Sequence, residues 1–265
     1  MSQSLRRLDA ELVRRGLARS RDHACELIDA GEVRLNGTVA TKPATQVADT
    51  ASIAVTVPPE EDYVSRGAHK LVGALEAFAD LGVLGRQALD AGASTGGFTE
   101  VLLRRGVTGV IAVDVGYGQL AWRVRQDERV HVMERVNVRN LVPEALPWMP
   151  DLVVADLSFI SLATVLPALV RCAAPDADLV LMVKPQFEVG KERIGDGVVR
   201  DLRLRSDAVR KIASAGIEQG LGTQGVVASP LPGPRGNVEY FLWLAAGAPS
   251  LRDDDLDRAI EEGPT

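Results

Sequence analysis

Cysteine is scarce in this chain of 265 residues: Cys25 and Cys172 are the only two. They lie far apart, so no disulfide framework is expected, and a reducing, cytoplasmic location fits. No stretch approaches 18 uninterrupted apolar residues, so no membrane span is expected. The N-terminus has no apolar core of the kind a secretory signal needs. Three histidines and two cysteines form no cluster at metal-ligand spacing, so no metal is expected. Aromatic residues make up 4%, which leaves few platforms for stacking. Lysine is rare as well, with five in the chain: Lys42, Lys70, Lys184, Lys191 and Lys211. What remains is ordinary for a globular protein, 46% hydrophobic and 25% charged, and excludes a disordered or collagen-like chain.

The net charge of −6 argues at first against a nucleic-acid partner, because phosphate binding needs clustered cations. The average conceals an asymmetry. Residues 1–21 carry six arginines against Asp9 and Glu11, a surplus of +4. Residues 249–265 carry six acids against Arg252 and Arg258, a deficit of −4. The positive charge is concentrated where a small docking patch can use it.

Leu5, Leu8, Leu12 and Val13 recur at helical spacing. Ser20 reads as the N-cap of a second helix that ends at Gly31. Val33-Arg-Leu-Asn-Gly-Thr-Val39 alternates around Asn-Gly, a strong hairpin signal. Residues 52–57 read as a further strand. Pro58-Pro-Glu-Glu-Asp62 opens a stiff polar linker. The expected organisation is a small α+β domain over 1–57, a linker over 58–66, a large domain over 67–248 and a flexible acidic tail over 249–265. Within the large domain, strand-like runs near 87–90, 108–113, 130–134, 151–155, 178–183, 224–229 and 238–244 alternate with helical patterns. That alternation predicts an α/β fold, a seven-stranded and mostly parallel sheet, with ligands bound beyond the carboxyl ends of the strands.

The first of those strands runs into Asp90-Ala-Gly-Ala-Ser-Thr-Gly-Gly-Phe-Thr99. The dinucleotide pattern G-x-G-x-x-G is missing, because Ser94 stands two residues after Gly92, and no phosphate-binding P-loop occurs. Small residues at Gly92, Ser94, Thr95, Gly96 and Gly97 let a ligand approach the backbone, and the helix that follows, with Phe98, offers free N–H groups. The pattern resembles motif I of S-adenosylmethionine-dependent methyltransferases. A carboxylate at Asp90 suits the cationic methionyl part of that cofactor. Asp114, at the end of the second strand, is placed to accept hydrogen bonds from a ribose diol. Asn137, just past the third strand, is a candidate for the adenine edge.

Asp156 and Lys184 terminate the fourth and fifth strands, Glu239 opens the last, and Lys70 follows the linker. The set Lys70, Asp156, Lys184 and Glu239 resembles the tetrad of FtsJ-type ribose 2′-O-methyltransferases. A ribose hydroxyl must lose its proton as it attacks a methyl group, and Lys184 is the candidate base. An ordinary lysine titrates at about 10.4, so this role calls for burial and a second cation, Lys70. The two carboxylates would aim the lysines. Ser158, Phe159 and Phe187 are candidates for contact with a substrate base.

Residues 5–57 resemble an S-four-type RNA-binding domain, through Arg7-Leu-Asp-Ala-Glu-Leu-Val-Arg-Arg-Gly-Leu-Ala-Arg-Ser-Arg21, then Ala30-Gly-Glu-Val-Arg-Leu-Asn-Gly37, and Lys42-Pro43. That resemblance implies RNA contacts, presented by paired helices, at Arg6, Arg7, Arg19, Arg21, Arg34 and Lys42. Arg66 and His69 are expected to face RNA as well. With Val64-Ser-Arg-Gly-Ala-His-Lys70, Asp156-Leu-Ser-Phe-Ile160 and Lys184-Pro-Gln-Phe-Glu188, nearly the whole chain resembles the TlyA, or haemolysin A, family. The resemblance implies a Rossmann-like methyltransferase fold, S-adenosylmethionine as donor, and cytidine ribose 2′-O-methylation of ribosomal RNA or ribosomal subunits; a monomer is expected. Two other functions compete: a membrane-active haemolysin, and a non-catalytic RNA-binding factor in ribosome assembly. Gly190–Gly197 is expected to be a mobile loop near the site.

Overall fold

The computed structural model describes residues 5–18, 20–29, 31–55, 63–190 and 196–264. Arg19, residues 56–57 of the expected strand, most of the linker (58–62) and the centre of the expected loop (191–195) lie outside the described residues. The chain divides into two compact units, residues 1–63 and 64–265.

In the first unit, β1 (Leu5–Arg7) leads into α1 (Leu8–Arg14) and α2 (Arg21–Asp29). Ser20 Oγ accepts the backbone N–H of His23 and so caps α2, while Gly31 turns out of it at a φ of +73°. β2 (Val33–Leu35) and β3 (Thr38–Val39) form the hairpin over Asn36-Gly37, both central residues having positive φ as a tight two-residue turn requires. β4 (Gln46–Ala48) pairs with β1, and β5 (Ile53–Val55) pairs with β2. Leu8, Leu12, Ala24, Leu27, Ile28, Val33 and Val47 make a small apolar core. One expectation is corrected here. Leu5, Arg6 and Arg7 belong to a strand and not to the first helix, since their backbone pairs with Gln46–Ala48.

The second unit starts with α3 (Gly67–Ala77), β6 (Gln87–Ala91), α4 (Gly97–Arg104), β7 (Gly109–Asp114), α5 (Trp122–Arg125) and β8 (Val130–Glu134). There follow β9 (Leu152–Ala155), α6 (Leu162–Arg171), β10 (Asp178–Val183), the single turn α7 (Pro185–Glu188), α8 (Leu202–Glu218), β11 (Leu221–Ala228), β12 (Tyr240–Ala246) and α9 (Asp253–Glu261). The seven-stranded sheet has the order β11-β12-β10-β9-β6-β7-β8. β12 alone runs antiparallel to its neighbours. The central strands are nearly continuous apolar runs, as expected where helices cover both faces. The order reverses between β6 and β9, the place where such sheets open a crevice for ligands.

The expected flexible tail, residues 249–265, is corrected over its described part: it carries the helix α9. Leu256, Ala259 and Ile260, spaced i, i+3, i+4 on α9, are buried against the core. Three acids in the first turn favour the helix N-terminus, and Asp253 pairs with Arg210 of α8.

Candidate active site

The Gly-rich turn sits at the carboxyl end of β6. Gly92 has a φ of +90°, and a Cβ there would stand 2.4 Å from the Asp156 carbonyl oxygen, so only glycine lets the ends of β6 and β9 come this close. Gly97 begins α4 where a Cβ would stand 2.2 Å from Ser65 Oγ. Ser94 and Thr95 are exposed at the turn's tip, whereas Gly96, Gly97 and Phe98 are buried. The Phe98 ring packs on Phe241 with centroids 6.0 Å apart, so its side chain belongs to the core.

Asp90 is completely buried. Its Oδ2 accepts the Thr99 hydroxyl at 2.6 Å, and its Oδ1 has no hydrogen-bond partner among the described residues. Burial, reinforced by the nearby Asp156 and Asp114 and opposed by the Thr99 bond, pushes this carboxyl up to about 7. Asp114 Oδ2 accepts the N–H of Ser94 at 2.8 Å and Oδ1 that of Gly116 at 2.6 Å. Each oxygen keeps a second acceptor direction for a diol. Ser94, Asp114, Gly116, Gln119 and Glu134 line a shallow cleft. An orphaned acid beneath a glycine cradle, beside an oriented acid at such a cleft, fits a cationic nucleoside cofactor. Asn137 is exposed, and its Oδ1 accepts the Arg139 N–H at 3.0 Å, a turn-forming role that accounts for this residue type.

The four tetrad positions form two pairs on the same edge of the sheet. Lys184 Nζ lies 2.5 Å from Asp156 Oδ1, an ion pair not aligned as a hydrogen bond, and it donates to Ser158 Oγ at 3.1 Å. The parallel pairing of β9 and β10 brings these two strand ends together. Lys70, from α3, donates to Glu239 Oε2 at 2.6 Å. Because β12 is antiparallel, its start lies at this edge, and Glu239 is fully buried there. Gln186 Nε2 reaches Glu239 Oε1 at 3.4 Å and so links the strand end bearing Lys184 to the second pair. A Cβ on Gly233 would stand 2.2 Å from Glu239 Oε1, so the glycine makes room for this carboxylate. Sequence reading missed Gln186 and Gly233 as site residues.

Beside Lys184 opens a cavity of about 610 Å³, lined among others by Ser158, Phe159, Gln186, Phe187, Arg235 and Asn237. Phe159 is 91% exposed and holds a φ of +65°, unusual for a bulky residue. Its ring lies 5.3 Å from that of Phe187. It is therefore a surface aromatic at the mouth of a cavity, not a core residue.

Arg66 and His69 are exposed at the start of α3. In the first unit the described candidate cations Arg6, Arg7, Arg21, Arg34 and Lys42 are exposed, but several are held. Arg7 and Arg21 both grip the buried Asp9 Oδ2, at 2.9 and 2.8 Å. The Arg7 hydrogen bond is the chief cause that keeps this carboxyl well below its usual range. Arg6 pairs with Asp49 at 2.8 Å, and Arg34 donates to the Gly37 carbonyl at 3.2 Å. Lys42 is exposed. Arg14 and Arg15, not among the expected contacts, pair with the buried Glu11.

Comparison with known proteins joins these features. Residues 63–246 match the FtsJ-like methyltransferase model, and residues 6–52 match the S4 domain. The 16S/23S rRNA (cytidine-2′-O)-methyltransferase TlyA of Mycobacterium tuberculosis is 63% identical over 97% of this chain and 98% of its own. The chain belongs to the TlyA family of FtsJ-like methyltransferases. A solved structure of a candidate hemolysin from Streptococcus thermophilus superposes with a TM-score of 0.75, at 35% identity and 98% coverage of both chains. Membership carries S-adenosylmethionine with it as the cofactor, in agreement with the orphaned acid and glycine cradle at the end of β6. No helix among the described residues is long and apolar enough to cross a membrane.

Proposed function

We propose that this chain transfers the methyl group of S-adenosylmethionine to the 2′-hydroxyl of a cytidine in ribosomal RNA, as a cytoplasmic monomer acting on the RNA or on ribosomal subunits without a metal. The observation that carries this reading is the convergence of Lys184–Asp156 and Lys70–Glu239 at the cofactor edge of the sheet. The bound cofactor supplies an activated methyl group on a sulfonium. The chain has to hold a weak nucleophile in line and take up its proton. Lys184, in its neutral amine form, is the acceptor in this reading, at the wall of the cavity and held by Asp156 and Ser158. Lys70, aimed by Glu239, steers the hydroxyl and stabilises the charge that develops on it. Asp90, Asp114, Asn137 and the turn Gly92–Phe98 would hold the cofactor. Phe159 and Phe187 stack on the target base. Arg6, Arg7, Arg19, Arg21, Arg34, Lys42, Arg66 and His69 contact RNA phosphates. The naming of the 63%-identical relative for cytidine 2′-O-methylation supports the choice of substrate.

The test is label transfer from S-adenosylmethionine to purified ribosomal subunits, followed by digestion to nucleosides. Label on the ribose of cytidine is the expected result. Label on a base, or none, overturns the reading, and leakage of clean liposomes without RNA labelling would favour a membrane-active protein instead.

A further inference from the structure

One buried carboxylate beside the site takes no part in the chemistry above. Glu188 ends α7, four residues after Lys184, and its side chain is 1% exposed. Its Oε1 accepts the backbone N–H of Leu162 at 2.7 Å. Its Oε2 accepts the Ser161 hydroxyl at 2.5 Å and the Lys211 ammonium at 2.9 Å. Lys211 also donates to the Glu188 carbonyl at 2.9 Å, which fixes the main chain along with the side chain. Ser161 is the N-cap of α6, yet its own side chain makes no cap bond. The start of α6 is capped instead from α7, by a negative charge placed at the positive end of the helix.

The position of this clamp gives it a second consequence. Two short segments wall the cavity, residues 156–161 leaving β9 and residues 184–188 leaving β10. At their near ends they are joined by Lys184 with Asp156 and Ser158. At their far ends they are joined by Glu188 with Ser161 and Leu162. Phe159 and Phe187 pack against each other at a tilt between the two closures. With one closure alone the segments would hinge at the strand ends. With two, their spacing is set.

We propose that Glu188 is a positioning residue for methyl transfer. It holds the segment bearing Lys184, Gln186 and Phe187 at a fixed distance from the segment bearing Asp156, Ser158 and Phe159. The proposal rests on the reading of Lys184 and Asp156 as transfer machinery. Glu188 touches no reacting atom. Its effect is on alignment, where a shift of about 1 Å costs on the order of a hundredfold in rate.

The experiment compares wild type, Glu188→Ala, Glu188→Gln and Lys211→Met as full-length proteins. It measures kcat and KM for ribosomal subunits, the affinity for S-adenosylmethionine by calorimetry, and thermal melting, all at a temperature where every variant is folded. Glu188→Ala is expected to lower kcat by roughly ten- to a hundredfold, while cofactor affinity stays within about twofold because the turn after β6 is untouched. Glu188→Gln keeps an acceptor for Leu162 and a polar partner for Ser161, and is expected to recover most of the rate. Lys211→Met, on the outer side of the clamp, is expected to cost about threefold. If Glu188→Ala does not fold, the Gln and Met variants decide the matter. A lowered melting temperature with kcat and KM unchanged would make Glu188 a structural cap only and overturn the proposal. A wild-type protein that labels no RNA would instead defeat the underlying reading of the site.

Discussion

Replacing Asp90 by asparagine should remove a pH dependence from the stability of this fold. Asp90 has no exposed surface, one oxygen bonded to Thr99 and the other without a hydrogen-bond partner among the described residues. Burial first, then the carboxylates of Asp156 and Asp114, raise it from 3.8 to about 7. The folded state therefore binds this proton more tightly than the unfolded chain does. The stabilisation is complete below the unfolded value of 3.8 and is lost as pH rises through about 7. A shift of about three units corresponds to something on the order of 4 kcal/mol over that whole window, of which roughly 2–3 kcal/mol falls between pH 5 and pH 8. Asparagine has nearly the same shape, can accept the Thr99 bond and does not titrate, so its own penalty is constant with pH. Chemical unfolding of wild type and Asp90→Asn at pH 5, 6, 7 and 8 gives the difference between them, in which other titrating groups cancel. Wild type should lose stability relative to the variant as pH rises, levelling off above about pH 7. A difference constant to about 0.5 kcal/mol across that range would refute the account of Asp90 as a buried acid that holds its proton more tightly in the folded state.

Other residues give independent tests. Leu256→Ala, at the buried face of α9, should cost about 2–4 kcal/mol in chemical unfolding, whereas a frayed tail would show no change. Gly233→Ala should push Glu239 off Lys70 and lower kcat about tenfold with the melting temperature little changed, since the clash is with a single side chain. Arg21→Ala should weaken RNA binding and flatten the plot of log affinity against log salt by about 0.7–0.9; an unchanged slope would place Arg21 away from phosphate.

The strands β6, β7, β9 and β10 were legible because each is a short apolar run with a residue able to do chemistry at or next to its end. Asp90, Asp114, Asp156 and Lys184 all stand where the period of the strand stops, and a parallel sheet sends those ends to one edge. Glu239 was legible on one condition, an antiparallel last strand, and the structure meets it. The first strand was hidden because Leu5 shares the helical spacing of Leu8 and Leu12, while its pairing with Ala48 depends on residues forty positions away. The last helix was hidden by its acids, which drew attention to charge and away from Leu256, Ala259 and Ile260. Gln186, Gly233 and Glu188 carry no signal of their own. Their roles come from partners that only the fold supplies: Glu239 for the first two, Ser161 and Leu162 for the third.

The measurement that tests the central claim most directly is nucleotide-resolution mapping of ribosomal RNA treated with S-adenosylmethionine and either wild type or Lys184→Ala. The account predicts 2′-O-methylcytidine in the wild-type reaction. In the variant it predicts a rate lower by roughly 10²–10⁴ with cofactor affinity retained, because the proton acceptor is gone while the turn after β6 is intact. Full methylation by Lys184→Ala, or a modification found on the base instead of the ribose, would contradict it.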